Sequence, residues 1–454
     1  MTSPNLQDLL DLDRRHVVHP HLPLDAKDRT VFVRGKACSL WDATGREYLD
    51  ATGGLWLAQV GHGREEIADA AATQMKRLEY FTTFWDFSHD RSIELAARLA
   101  RLSPEGLDYS YFTSGGSEGN DAAIKTARYY HSQRGESSRT WILSRTTAYH
   151  GLAYGGGTAT GFDEMKAGTG PMLPDVAHLT PPHPYRSWLF DGQNPTDFLV
   201  AELEATIERL GAQNIAAMIA EPIMGVAGMV IPPEDYWPRI SAVLRQHGIL
   251  LILDEVVTAF GRIGHWFAAD HFGVTPDIMV TAKGLTSGYA PLGAVLMSRD
   301  VAETVMTGHG YPVGYTYSGH PVSCAVALAN LEIIEREDLL AAAQRTGAHL
   351  AQRLEPLKEL PVVGEVRQAG MGIALELVAD KESRRPLPEP GPGIADIIRD
   401  ETGVVVRVSS SHNLVFSPPL VMTEFEADRA VDAVESVLRR VRPDGTVVSP
   451  GSVA

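Results

Sequence analysis

Residues 248–298 read GILLILDEVVTAFGRIGHWFAADHFGVTPDIMVTAKGLTSGYAPLGAVLMS. Three aliphatic runs stand out, and the first two close on charge: Asp254 and Glu255 end one, Lys283 the other. Runs this uniformly apolar predict strands buried on both faces, as in parallel sheets. Upstream, YSYFT (109–113), TWILSRT (140–146) and IAAMIAE (215–221) follow the same plan, with helical patterns between them. From about residue 108 to 320 the alternation therefore predicts a parallel or mostly parallel sheet with helices on both faces. In such sheets ligands bind beyond the carboxyl ends of the strands, so the residues that close each run are the candidates for chemistry.

Outside this region the patterns differ. Residues 1–30 predict a short amphipathic helix and an irregular segment, and the alternation in VFVRGKACSLWDATGREYLDAT (31–52) predicts a hairpin. Helical periodicity dominates from Glu65 to about Leu102. After residue 320 come a long helix, PVSCAVALANLEIIERED, and a mixed region of strands and helices, including the loop PLPEPGPG (386–393). The tail RPDGTVVSPGSVA (442–454) reads as loosely ordered. The division expected is an N-terminal segment, 1–60, belonging to the smaller lobe; a large domain, 61–320; and a C-terminal α+β domain, 321–454.

The bulk numbers fit this division. A chain of 454 residues exceeds one ordinary core. Its net charge of −17 disfavours nucleic acid as a general partner, because neutralising phosphates needs clustered Lys and Arg. The two cysteines, Cys38 and Cys324, have neither disulfide-framework nor metal-ligand spacing. No metal is proposed. No apolar run is long enough to cross a bilayer and the opening residues lack a signal-type core, so a cytoplasmic protein is the expectation.

At the run ends, each residue carries two readings. Asp254 is a helix cap or a carboxylate for a cationic ligand nitrogen. Lys283 is a snorkelling surface lysine or a depressed-pKa amine able to form a Schiff base. SGGSEGND (114–121) opens a helix, with Ser117 in its first turn; it is a plain capped helix or a phosphate cradle. Tyr149 and His150 follow TWIL, and an aromatic there packs in the core or stacks on a planar ring. Together the four features supply a phosphate loop, a stacking aromatic, a pyridinium partner and a lysine, which is what pyridoxal 5′-phosphate (PLP) requires.

The chain resembles the class III (omega) aminotransferases, PLP enzymes of fold type I, over nearly its whole length. The motifs that carry the resemblance are GLWLAQVGHGR (54–64), YFTSGGSEGNDAAIKTAR (111–128), YHG (149–151), EPIMGVAGMVIPP (221–233), LILDEVVTAFGRIG (251–264), AKGLTSGYAPLGAVL (282–296) and YTYSGHPVSCAVAL (315–328). The resemblance implies a large domain with a mostly parallel seven-stranded sheet plus a smaller α+β domain. It implies that Lys283 binds the cofactor as a Schiff base and later shuttles the proton. It implies that Asp254 pairs with the pyridine nitrogen, that Gly116 and Ser117 bind the phosphate, that Tyr149 stacks on the ring and Val257 packs on its other face. Ser114, Gly115, His150, Glu221 and Val256 complete the implied cofactor shell. Thr316 is implied to reach the phosphate from a neighbouring subunit, which makes the protein a homodimer with shared active sites; pairing of dimers into a tetramer is left open.

The nearest likeness is to the amine:pyruvate and beta-alanine:pyruvate types. It implies a ping-pong transaminase that moves an amino group from a primary amine or omega-amino acid to a keto acid, with pyruvate the expected acceptor. Trp56, Phe84 and Trp85 are the implied pocket walls, the last two from the partner, with Tyr149, Val226 and Tyr315 alongside. Arg407 matches a mobile arginine that pairs with the acceptor carboxylate; taken alone it reads as a surface arginine. The chain departs from the family at SGGSEGND, at TAFGRIG, at Val226, and at VSSSHN (408–413), where a Gly-Asp turn is usual. The alternatives on the same scaffold are an aminomutase, a racemase or a decarboxylating transaminase. A regulator of this fold would need an added DNA-binding domain, and no GxGxxG follows a strand to suggest a nicotinamide enzyme.

Overall fold

The structure is a computed structural model, and it describes residues 6–26, 29–388, 393–410 and 412–449. Part of the loop 386–393 and the last five residues of the tail thus lie outside the described residues.

After a helix over Leu6–His16, the first strands are β1 (Phe32–Lys36), β2 (Ser39–Asp42) and β3 (Glu47–Asp50), paired antiparallel. The predicted hairpin is β2–β3, turning at Asp42, whose carboxylate accepts from the backbone of Thr44 and Arg46. The large sheet is built from β4 (Tyr109–Thr113), β5 (Trp141–Arg145), β6 (Val176–Leu179), β7 (Ile215–Ala220), β8 (Leu250–Asp254), β9 (Ile278–Thr281) and β10 (Gly293–Met297). Their order is β4-β10-β9-β8-β7-β5-β6, and only β10 runs antiparallel to its neighbours. Every residue of β7, β8, β9 and β10 is buried, as their aliphatic runs predict.

The remaining strands are β11 (Val363–Ala369), β12 (Gly372–Asp380), β13 (Arg385–Pro386), β14 (Val404–Val405), β15 (Arg407–Ser409) and β16 (Asn413–Phe416). An antiparallel sheet runs β11-β12-β16-β15, with β13 on β12. β14 belongs instead to the first sheet, where it pairs in parallel with β3 and joins the first strands of the chain to the last quarter.

Two expectations are corrected. The helical stretch 65–102 is two helices, Glu65–Arg77 and Asp90–Leu102, parted by YFTTFWDF. The second begins where the His89 ring accepts the Ser92 amide, and crowded aromatics cannot continue the first without losing side-chain freedom. The tail is also tied down as far as it is described. Val441 and Val447 form a bridge, Arg442 N–H donates to Thr446 O, and Arg440 reaches Val448 O.

Cys38 and Cys324 are free and buried, and burial pushes the Cys324 thiol up to about 12. Among the described residues no helix is long and apolar enough to cross a membrane, and no group of three or more His, Cys, Asp or Glu is placed to hold a metal.

Candidate active site

Beyond the carboxyl ends of β7, β8 and β9 lies a cavity of about 220 Å³ that reaches Lys283, Asp254 and Arg407. Strand order places those ends side by side, which is why residues distant in sequence meet here.

Asp254 closes β8 and is buried, 4% exposed. Burial is tolerable because both oxygens are used. Oδ2 accepts from Asn120 Nδ2 at 2.7 Å and faces His150 Nδ1 at 2.8 Å; Oδ1 accepts the Val256 amide at 3.1 Å. On the far side of these partners, His150 Nε2 and Asn120 Oδ1 are buried without a hydrogen-bond partner. The next residue, Glu255, turns the opposite way. It accepts from the Ala268 and Ala269 amides at 3.0 and 2.7 Å and from the Thr258 hydroxyl, capping the short helix Ala268–Phe272. Burial raises the Glu255 carboxyl to about 7. The helix-cap reading weighed for Asp254 thus falls to its neighbour, Glu255.

Lys283 follows β9 in the left-handed region, φ 42°, a strained conformation for a residue with a Cβ. Burial holds its ammonium below the ordinary lysine value, against the opposing pull of Asp254 and Glu221. Arg407 adds a smaller push in the same direction as burial. A lysine in that state has a larger share of free amine, the form that attacks a carbonyl or takes a proton.

The helix Gly116–Gln133 points its N-terminus at the cavity, so Gly116 and Ser117 line it with the positive end of a helix dipole behind them. Asn120 is on the same face one turn later. Gly151 (φ 89°) sits against Ser117; a Cβ there would fall 2.3 Å from the Ser117 hydroxyl, so only glycine leaves that corner open. Tyr149 lines the cavity, and its amide donates to Glu221 Oε1 at 3.0 Å. The other Glu221 oxygen accepts from the Gly225 amide at 2.9 Å, and burial raises the Glu221 carboxyl. Val256 and Val257 complete this side.

Trp56, Val226 and Arg407 form the other wall. Trp56 is 4% exposed and is set by the turn before it, where Asp50 accepts from the amides of Thr52 and Gly54. Arg407 starts β15 and stands exposed at the rim. Surrounding protein strips enough water to hold its guanidinium below the usual arginine value, partly offset by Tyr149, and it stays charged.

Six expected residues do not line this cavity within their own chain. The Ser114 amide is already committed to Glu118 Oε2 at 2.8 Å, and Gly115 O accepts from Gly119. Phe84 and Trp85 border a separate cleft of about 720 Å³, and Trp85 is 85% exposed. Tyr315 packs beside Tyr111 and Lys125, and Thr316 is exposed, with its carbonyl accepting from Tyr80. The cavity also includes His21, Leu55, Asn120, Gly151 and Met165, which the sequence reading did not single out. Helical spacing from Gly116 was enough to find Asn120. His21 and Met165 come from irregular segments that carry no periodic signal.

The class III aminotransferase family profile matches residues 25–438. The putrescine–pyruvate aminotransferase of Pseudomonas aeruginosa is 34% identical over 450 residues, covering 96% of this chain and 97% of that one. Among solved structures, a thermostable (S)-enantioselective omega-transaminase from Thermomicrobium roseum is 46% identical with a TM-score of 0.92, covering 95% of this chain and 98% of its own. An amine transaminase from an uncultivated Pseudomonas species, solved with PLP bound, is 41% identical with a TM-score of 0.88, covering 92% and 97%.

Proposed function

The chain belongs to the class III aminotransferases, PLP-dependent enzymes of fold type I, and from that premise we propose that it transfers an amino group from a primary amine or omega-amino acid to a keto acid, with pyruvate as acceptor. The observation that carries this reading is the presence of Arg407 and Lys283 in one cavity, with Trp56 and Val226 between cofactor side and rim.

The residues present fit the cofactor. Asp254 is a buried carboxylate that makes no salt bridge to lysine or arginine among the described residues, and the far atoms of its two partners, His150 Nε2 and Asn120 Oδ1, have no hydrogen-bond partner. It would hold a protonated ring nitrogen. Gly116 and Ser117, with the corner kept open by Gly151, would hold the phosphate. Tyr149 and Val257 would flank the ring, Glu221 would brace Tyr149, and Val256 and His150 would shape the shell. When bound, PLP supplies an aldehyde that captures the amino group and a ring that stores the electron pair released at the donor carbon.

The protein's part is then positioning and proton transfer. Lys283, held toward its free-amine form, takes the proton from the donor carbon that bears nitrogen and later gives one back. Asp254 keeps a positive charge on the ring side of the cavity. Arg407 clamps the keto-acid carboxylate by two parallel hydrogen bonds, and swings aside for an amine that carries no carboxylate. Val226 and Trp56 limit the size of the group carried by the donor.

A homodimer completes the site. Phe84, Trp85, Tyr315 and Thr316 lie away from their own Lys283, in a region with exposed Phe81, Phe87 and Tyr317, and a second chain would bring them to the cavity.

The test is an absorbance scan of the purified protein, then an amine panel without keto acid. Bleaching of the yellow cofactor by an amine, and its return with pyruvate, is expected. A yellow protein that no amine and pyruvate can cycle would overturn amino transfer; a protein that binds no PLP would overturn the role of Lys283.

A further inference from the structure

The loop that brings Val226 to the cavity has three consecutive carbonyls, and all three are held by groups on or behind the hairpin that carries Arg407. Val226 O accepts the hydroxyls of Ser409 and Ser410, the latter at 2.8 Å. Ala227 O accepts from Asn413 Nδ2 at 3.4 Å. Gly228 O accepts from Arg367 Nε at 2.8 Å. The contact is close enough that a Cβ on Gly228 (φ 100°) would fall 2.3 Å from the Asn413 side chain.

Behind this seam lies a buried ionic cluster. Arg367 donates to Asn413 Oδ1 at 2.6 Å and to Glu376 Oε2 at 2.6 Å. Glu376, 1% exposed, also accepts from Arg186 at 3.0 Å, and Arg186 contacts His412 in the turn of the hairpin. Residues from β11, β12, β16 and the segment after β6 are thereby tied to one point. The serines and Asn413 belong to VSSSHN, the stretch where the sequence departs from its family.

We propose that Asn413 and Arg367 are positioning residues that lock the Val226 wall to the Arg407 hairpin, so that keto-acid carboxylate recognition depends on them although neither touches the substrate. This rests on the reading of Arg407 as the carboxylate clamp. A fixed hairpin limits the positions its arginine can explore, and a fixed wall sets the distance across which the acid must fit.

The test uses the PLP-loaded enzyme and follows the cofactor absorbance in each half-reaction. Asn413→Ala should raise KM for pyruvate about 3- to 10-fold through the loss of its two seam hydrogen bonds, while the half-reaction with 1-phenylethylamine, a donor without a carboxylate, keeps its rate within about 2-fold. Ser409→Ala with Ser410→Ala disturbs no buried charge and should move pyruvate KM in the same direction. Arg407→Ala is the control. If it leaves pyruvate KM unchanged, the carboxylate reading fails and this proposal with it. If Arg407→Ala raises KM but neither seam variant does, only the positioning proposal is overturned. Equal losses in both half-reactions would also overturn it, since that is what a merely structural role gives.

Discussion

Asp254 and Glu376 are both buried carboxylates, one at a strand end of the large sheet and one inside the smaller sheet. Their surroundings differ in who supplies positive charge. Glu376 is ringed by Arg186 and Arg367, with His183 at 3.5 Å, and these partners hold its carboxyl far below the ordinary range despite burial. Asp254 has amide donors and one imidazole, and among the described residues it makes no salt bridge to arginine or lysine, Lys283 acting on it only from further off. A structural carboxylate is neutralised by its own chain; a ligand-binding one is hydrogen-bonded into place and leaves its counter-charge to be supplied.

That difference can be broken by experiment. The largest effect is expected from Lys283→Ala, which removes the amine proposed to move the proton. Turnover should fall roughly 10²–10⁴-fold with the melting curve little changed. A loss under about tenfold would take proton transfer away from Lys283.

The sharpest comparison is Asp254→Asn against Glu376→Gln. The first should lower kcat by roughly 10²–10³-fold and leave denaturant stability nearly intact. The second removes the carboxylate shared by Arg186 and Arg367, leaving Arg367 only Glu365, and should cost about 3 kcal/mol of stability, with the amine half-reaction preserved in protein that stays folded. Matching profiles in the two variants, by urea titration and single-turnover absorbance, would dissolve the distinction.

A smaller effect is expected in pH dependence. Burial and Arg186 hold His412 down to about 4, so it is neutral in the native state and protonates more readily when unfolded. Its contribution, with that of His183, is present above the ordinary histidine value of 6.5 and is lost as pH falls from there toward 4. Glu376, with its depressed pKa, adds stability above 4.5 that is lost as pH drops further toward its folded value. Urea midpoints should therefore decline in two stages on acidification, and Glu376→Gln should flatten the lower one. An unchanged lower stage in that variant would locate the acid sensitivity elsewhere.

Much of the large sheet was legible because buried parallel strands write themselves as aliphatic runs, and the fold then delivers their ends to one place. Lys283, Asp254 and Tyr149 could be named from that rule, and Glu221 only through the likeness of EPIMGVAGMVIPP to the family. What Glu255 does could not be read that way, since the amides it caps, those of Ala268 and Ala269, lie 13 and 14 residues further along and leave no local pattern. The break at YFTTFWDF was hidden because aromatics satisfy helical periodicity while filling a cleft instead. The cluster around Glu376 was the least legible. Its members lie at 183, 186, 367, 376, 412 and 413, with no shared period, and only the unusual VSSSHN marked the place.

The parallel pairing of Val404 and Val405 with Leu49 and Asp50 has a consequence for synthesis. β3 leaves the ribosome roughly 350 residues before its partner strand, a wait of about 20 to 70 seconds at ordinary translation rates. Throughout that interval one rim of the first sheet is an open template for stray strands, on the very segment whose Asp50 shapes the turn to Trp56. The nascent chain is therefore most in need of a chaperone at its beginning, and the need ends only when its last quarter arrives.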